Sequence, residues 1–524
     1  MKLTKDCLKQ PISGVKYPKY DVSKVWANTK EDPIWLHFGA GNIFRGFIAR
    51  LENDLLNKGL VDKGIIASET FDYEIITSIY DKCDNLTLIA NLPATKEPEY
   101  IVSASIAEGV VASNYLRLKE IVTNPSLELI SFTITEKGYS LKDINGNYTA
   151  LVLDDFKNGP TKGKHAMSVV TSLLYERYKK GKMPIALVSM DNCSHNGEKL
   201  ETSVLDVASH WLNAGLVEKE FLTYLQDKSK VTFPWSMIDK ITPRPAKEVE
   251  DNLVKLGFED ITPITTAKHT YIAPYVNCEV SEYLVIEDSF PNGRPPLEKA
   301  GVYMTDRETV NKVETMKVTT CLNPLHTALA VYGCLLGYNS IAEEMTNPLL
   351  VGLVKGIGDE GMKVVVDPKI IKPVDFLNQV LEERLPNKAI PDTPWRIATD
   401  TSQKIPVRYG ETIKAYLKSP DLNLNDLKYI PLAIAGWLRY LLGVNDNLDV
   451  MELSSDPMLN DLKATLSSVH IGDTTVDLSN ILSNKEIFGL DLTSTPLQTK
   501  IEEYFLSLIS AKGAVNTTLS KYVK

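Results

Sequence analysis

A chain of 524 residues is too long for one hydrophobic core, so two or more domains are expected. With 44% hydrophobic and 24% charged residues the composition is that of a soluble globular protein. A net charge of -10 without a basic tract excludes general nucleic-acid binding, yet leaves room for a local cationic pocket.

The six cysteines, Cys7, Cys83, Cys193, Cys278, Cys321 and Cys334, are scattered with no CxxC, as expected of free thiols in a reducing compartment. The seven histidines form no HExxH or HxxxH, so no local zinc motif is expected. Met1 to Pro11 carries lysines with no apolar core after them and does not read as a signal peptide. The most apolar stretch, Tyr429 to Val444, is broken by Arg439 and reads as a buried helix. A cytoplasmic protein with no membrane partner follows.

Ile34 to Phe38 reads as a short buried strand that runs into Gly39-Ala40-Gly41-Asn42-Ile43-Phe44. A helix follows, with Ile43, Phe44, Phe47, Ile48, Leu51 and Leu55 on one face and Gly59 just past its end. Strand, glycine turn and helix together are the context of a dinucleotide site. Gly39 permits the tight turn, and Gly41 lets backbone approach a pyrophosphate at the helix N-terminus formed by Asn42, Ile43 and Phe44. The third glycine position holds Phe44, so the match is partial and an ordinary strand-to-helix turn is the alternative.

The next strand, Gly64 to Glu69, ends in an acid. A carboxylate there accepts from the adenosine ribose and repels a 2′-phosphate, which favours NAD over NADP. Glu69 is the candidate and Asp72 the reserve; either is equally compatible with a helix cap or a surface charge. Leu127 to Thr135 and Ile185 to Met190 are further apolar strands, stopping at Glu136-Lys137-Gly138-Tyr139 and at Asp191-Asn192-Cys193-Ser194-His195-Asn196-Gly197. Strand ends are where open α/β sheets hold ligands, so the Asn192 amide is a candidate for a substrate oxygen or the nicotinamide. A turn role for Asp191 and Asn192 fits as well. The apolar run ahead of Asp239, within Phe233 to Pro245, suggests one more strand whose end faces the ligand.

Glu287 to Pro296 is rich in Pro and Gly and reads as a linker. Helices are expected after it at 307–316, 324–337, 340–357, 373–384, 402–418 and 430–442. Within them, Met316 to Ala328 puts Lys317, Asn323 and His326 into an otherwise apolar run. Apolar surroundings disfavour the charged form of a lysine, and a lysine tuned toward neutrality can accept and return a proton. An asparagine donates to a substrate oxygen, and a histidine holds a neighbouring hydroxyl. The competing view is a core helix with a snorkelling Lys, a capping Asn and a satisfied His. Trp395 to Arg408 is unusually cationic, and residues 445–524 read as covering helices without chemistry.

The glycine loop, TEKGY, DNxxHNG, FxxSMIDKITP and KxxxxxNxxH occur in this order, and together they resemble the mannitol dehydrogenase family of long-chain polyol dehydrogenases. The resemblance covers roughly residues 33–440. Ile238 and Lys240 stand where the family usually has Val and Arg, and Leu297 where it usually has Trp.

The resemblance implies zinc-independent, NAD-linked polyol oxidation or ketose reduction. It matches Lys317 to the catalytic lysine, Asn323 to the oxyanion-stabilising asparagine and His326 to a substrate-positioning histidine. Asn192 matches a second asparagine near the reacting oxygen, Asp239 an acid near the nicotinamide end, and Arg396 and Lys404 substrate-hydroxyl contacts. Arg408, in a KxPxR context, resembles the uronate-reductase branch, where a guanidinium grips a carboxylate. The alternative for Arg408 is a surface pair with Glu411.

One departure bears on the chemistry. The family usually has four residues between the lysine and the asparagine, and this chain has five, Val318 to Leu322. On a straight α-helix Lys317 and His326 would then lie about 180° apart. A π-bulge, a kink or a late helix start must absorb the extra residue, with Asn323 as N-cap and Pro324 at the first helical position the simplest solution.

The fold expected is thus an α/β Rossmann-type NAD-binding domain over residues 1–296, then a mostly α-helical substrate and catalytic domain over 297–524, with the active site in the cleft between them. The activity expected is reduction of a ketose acid with NADH, fructuronate to mannonate as the leading case. Tagaturonate, a neutral polyol, or a non-catalytic NAD-binding sensor are the alternatives. The expected partner is a small sugar acid or polyol, and the expected state a monomer or homodimer.

Overall fold

The computed structural model describes residues 1–161 and 163–523. The chain divides into two compact units, Met1–Leu92 with Lys96–Asn311, and Pro93–Thr95 with Lys312–Lys524.

The first unit is built on a six-stranded sheet: β1 (Trp35–Phe38), β2 (Ile65–Glu69), β3 (Ile106–Val111), β4 (Leu129–Phe132), β5 (Ile185–Ser189) and β6 (Val231–Thr232). All pairings are parallel and the order is β3-β2-β1-β4-β5-β6. This is the doubly wound dinucleotide-binding topology, whose strand order reverses beside the first strand. Every residue of β1 is buried, as a strand covered on both faces requires. Alternation sorts the side chains: Leu36, Phe38, Ile66, Ile130, Phe132 and Leu187 join one core. Trp35, Ile65, Ala67, Leu129, Ala186 and Val188 join the other.

Ser236–Asp239 is a strand, as expected, but it leaves this sheet. It pairs antiparallel with Tyr283–Glu287, which pairs parallel with Tyr303–Thr305. The segment 287–296 belongs to the same unit and is ordered by Arg294, which donates to Asp288 at 2.8 and 2.9 Å and to Glu298 at 2.7 Å.

The second unit is helical. Asn323–Leu336 runs through its middle with nearly every side chain buried, packing on Pro348–Met362, Pro394–Ala398 and Tyr429–Tyr440. The last crossing is close: a Cβ on Gly436 would lie 2.5 Å from the Tyr332 ring, whose hydroxyl donates to Leu432 O at 2.8 Å. Arg439 is buried and donates to the carbonyls of Val444 at 2.7 Å and Asn445 at 3.0 Å, so its charge caps a chain reversal.

Several expected helices are interrupted. The one placed at 340–357 is two, Ile341–Glu344 and Pro348–Met362, because Asn347 caps the second and Pro348 begins it. Those at 373–384 and 402–418 contain π turns, Val380–Arg384 and Pro406–Gly410. Pro406 has no N–H for the α-helical ladder, and that frees the backbone for the wider turn. No helix among the described residues is long and apolar enough to cross a membrane.

Candidate active site

In the first unit the glycine loop leaves β1 between the ends of β2 and β4. Gly39 has φ +105°, and a Cβ there would sit 2.1 Å from Thr133 O, so only glycine fits. A Cβ on Gly41 meets nothing within 4 Å, so the backbone at that point is open to a bound group. The first bond of the following helix runs from Arg45 N to Gly41 O at 3.1 Å. The amides of Asn42, Ile43 and Phe44 therefore precede the hydrogen-bonded ladder, and this cradle fits a pyrophosphate.

Phe44 replaces the third glycine because its ring stacks on His37 at 3.9 Å. His37 is buried with its ring nitrogens 2.7 Å from Ser131 Oγ and 2.9 Å from Thr133 Oγ1. Burial pushes its pKa down to about 3, so it is a neutral brace under the loop. Close packing of the helix falls instead to Gly46, where a Cβ would lie 2.5 Å from Cys278 Sγ. The Asn42 side chain accepts from the buried guanidinium of Arg45 at 2.8 Å, which leaves its backbone as the part facing a ligand.

Glu69 is 7% exposed. One oxygen accepts from Ala40 N at 3.0 Å, the other from Thr70 N at 3.0 Å and Phe71 N at 2.9 Å. The carboxylate thus ties the glycine loop to the turn after β2. Asp72, the reserve candidate, is buried and accepts from Thr266 Oγ1 at 2.6 Å.

The DNxxHNG stretch is mostly a brace. Asp191 accepts from Ile134 N and Thr135 N, each at 2.9 Å, and from Tyr139 OH at 2.6 Å. That grip holds Thr135 at φ +65°. The Asn196 amide exchanges hydrogen bonds with Ser236, at 3.0 Å each way. Gly197 is required because a Cβ would come within 2.6 Å of Trp235. Asn192 is exposed just past the end of β5, and Asp239 is buried at the end of its strand.

In the second unit Lys317 is 3% exposed and opens a π turn, Lys317–Cys321. Leu322 N donates to Lys317 O at 3.1 Å, an i→i+5 bond, and His326 N donates to Leu322 O at 3.0 Å, an i→i+4 bond. The extra residue is therefore looped into the wider turn. Counted along one helix axis, absorbing a residue takes Lys317 and His326 from about 180° to about 80° apart. Asn323 is not the N-cap: Leu322 (φ -129°, ψ -62°) caps the helix, Asn323 is its first residue and Pro324 follows. The π turn breaks the backbone one residue earlier than a simple late start would, which displaces the cap.

The turn Pro406–Gly410 packs on this segment. Arg408 donates to Thr327 Oγ1, Thr327 donates to Asn323 O at 3.0 Å, and Tyr409 OH donates to Pro324 O at 2.9 Å. The surface pair with Glu411 does not form, since Glu411 accepts from Lys414. Burial brings the Arg408 pKa down to about 10. Lys404 donates to the carbonyls of Ile397, at 3.0 Å, and Thr399. Burial, reinforced by the charge of Arg408, lowers its pKa to about 8.

Asp392 joins this group and was not visible in the sequence. It accepts from Arg396 Nε and Nη2, each at 2.7 Å, and lies 3.4 Å from His326 Nε2. Burial pushes its carboxyl up, but His326 and Arg396 overcome that and hold it at about 2. Burial lowers the His326 pKa from its ordinary value, against the pull of Asp392. Within this unit, then, His326, Arg396, Lys404 and Arg408 share one electrostatic environment, and Lys317 and Asn323 lie on the adjoining backbone. Among the described residues no group of three or more His, Cys, Asp or Glu is arranged to hold a metal ion.

Comparison with known proteins agrees with both halves. The family models for the mannitol dehydrogenase Rossmann domain and C-terminal domain match residues 33–299 and 309–508. D-mannonate oxidoreductase of Thermotoga maritima is 51% identical over 100% of this chain and 99% of its own. The structure of Pseudomonas fluorescens mannitol 2-dehydrogenase, a ternary complex with NAD and D-mannitol, is 27% identical with a TM-score of 0.72, covering 99% of each chain. A D-sorbitol dehydrogenase structure, 23% identical, has the same fold with a TM-score of 0.81 over 98% of this chain and 99% of its own. The two family models together cover most of the chain and the relatives match it over nearly its whole length, so the chain belongs to the mannitol dehydrogenase family of oxidoreductases.

Proposed function

We propose that the chain interconverts a ketose acid and a sugar acid with NAD, with D-fructuronate and NADH giving D-mannonate and NAD as the leading reaction. The observation that carries the acidic substrate is Arg408. It is a half-buried guanidinium whose hydrogen bond goes to a hydroxyl, Thr327, beside a second cation, Lys404. Such a pair favours a carboxylate and gains little from a neutral sugar. The 51% identity to a D-mannonate oxidoreductase over the whole chain supports the same reading.

In this reading Gly39, Gly41 and the amides of Asn42, Ile43 and Phe44 hold the pyrophosphate of NAD, with Glu69 setting the loop and Asp239 toward the nicotinamide end. Bound NAD supplies the carbon that gives or takes hydride. Lys317 delivers the proton to the oxygen that becomes the alcohol, and takes it back in oxidation, for which it must be uncharged. Asn192 and Asn323 donate to that oxygen as negative charge develops, a contribution of about 3 kcal/mol per donor in comparable sites. His326 and Arg396 hold neighbouring hydroxyls, and Lys404 and Arg408 hold the carboxylate. The sensor alternative rested on the extra residue after Lys317, and the π turn that absorbs it removes that ground.

NADH oxidation measured side by side with fructuronate, tagaturonate, fructose and fructose 6-phosphate tests this. The expected result is highest kcat/KM with a uronate, fructuronate first. A preference for fructose or its phosphate would overturn the acidic-substrate reading.

A further inference from the structure

Asp392 lies between the π turn Val380–Arg384 and the helix Pro394–Ala398, and is 6% exposed. Its backbone is fixed: Ile341 N donates to its carbonyl at 3.0 Å, and its own N–H donates to Ile390 O at 2.9 Å. Its carboxylate meets two side chains that the proposed function puts on the substrate, the Arg396 fork at 2.7 Å twice and His326 Nε2 at 3.4 Å. Behind it, Glu344 is fully buried with neither carboxyl oxygen hydrogen-bonded. Burial and the Asp392 charge push Glu344 up to about 9, so the negative charge in this corner belongs to Asp392. The cations facing His326 are Arg408 and Arg396, and both disfavour a positive ring.

A neutral imidazole carries one N–H, and the group beside it decides which nitrogen holds the proton. An ionised carboxylate beside Nε2 draws the proton there. We propose that Asp392 is a positioning residue: it fixes His326 as the Nε2–H tautomer, leaving Nδ1 as an acceptor, and holds the Arg396 fork so that its remaining N–H groups face outward. The site then reads one substrate hydroxyl as a hydrogen-bond donor, at His326, and its neighbour as an acceptor, at Arg396. The inference rests on the proposed substrate contacts of His326 and Arg396.

The test is 15N NMR of the full chain labelled at histidine, with His326 assigned by the signals lost in His326→Gln. The wild type is expected to show a protonated Nε2 and an unprotonated Nδ1, and Asp392→Asn to move His326 toward a mixture of tautomers. A protonated Nδ1 in the wild type overturns the proposal, whether or not the variant folds, as does a pattern unmoved in a folded Asp392→Asn. Kinetics give a second arm. Asp392→Asn is expected to lower kcat/KM about tenfold in the wild type but at most about threefold in a His326→Gln, Arg396→Ala background. Equal losses in both backgrounds would show that Asp392 acts elsewhere and overturn the proposal. If His326→Gln and Arg396→Ala each turn over like the wild type while the tautomer result holds, the tautomer claim stands and the substrate-contact reading falls.

Discussion

The glycine loop of the first unit and the Lys317–His326 segment of the second both present polar groups where a helix begins, and they do so by opposite means. At the glycine loop the work is done by absence: Gly39 accepts a φ that other residues resist, and Gly41 leaves room above the backbone. At Lys317 it is done by accommodation: a turn widens to take in one extra residue, and Lys317 keeps the spacing to His326 that a shorter segment would have. The first arrangement leaves a signature in residue types, because only glycine lacks a Cβ. The second leaves one only in spacing, because any residues can form a π turn when tertiary contacts fix its ends. Those contacts are Tyr409 on Pro324 and Arg408 on Thr327 from one side, and Cys321 on Pro373 O from the other.

The contrast can be broken most sharply at Arg408. Arg408→Ala is expected to raise KM for a uronate about 30-fold or more, since it leaves the substrate carboxylate without its guanidinium, while a neutral ketose changes by about threefold or less. Equal losses for both would make Arg408 a packing residue for Thr327 and nothing more.

The two glycines separate space from conformation. Gly39→Ala should cost about 2 kcal/mol or more of stability in thermal or denaturant unfolding, from the strained φ and the clash with Thr133 O. Gly41→Ala should unfold like the wild type yet bind NADH about tenfold more weakly by fluorescence titration, because its methyl enters the space left for the pyrophosphate. Loss of stability at both positions would mean that the open space at Gly41 serves the fold.

A smaller effect follows from Lys404. Its folded pKa is lowered to about 8, so the ammonium is present below that pH and lost above it. KM for the sugar acid should therefore rise as pH passes through about 8, and the rise should vanish in Lys404→Arg, whose charge persists. The smallest effect concerns the π turn itself. Deleting Val318 should restore an α-helical register with Lys317 still about 80° from His326, so turnover should stay within about tenfold of the wild type. Collapse of activity with an intact fold would show that the wide turn does more than absorb a residue.

Four strands of the parallel sheet in the first unit were legible because their signals are local, whereas Ile106–Val111 and the separate sheet of Thr87–Leu92, Glu99–Ser103 and Tyr275–Glu279 were not read. The strands ending at Phe38, Glu69, Phe132 and Ser189 are apolar runs bounded by turn residues, and the glycine context follows from them. The role of Glu69 was less legible, because a carboxylate at a strand end can face a ribose or, as here, reach back to the Ala40 amide. In the second unit, periodicity found the helices but merged Ile341–Glu344 with Pro348–Met362 and passed over the π turns, which keep a helical pattern of side chains. Irregular backbone between Lys317 and Pro324 was expected from the count of residues, and the structure has it; the cap was placed one residue too far along. Asp392 was invisible because it sits in an irregular stretch and acquires its meaning from His326 and Arg396, which only the fold brings to it.

The most direct measurement is turnover of fructuronate by Lys317→Ala, made alongside NADH binding by the same variant. If a buried amine on a π turn is the proton donor, kcat falls about 10²- to 10⁴-fold while NADH affinity stays within about threefold. Turnover within about threefold of the wild type, with NADH bound normally, would contradict it.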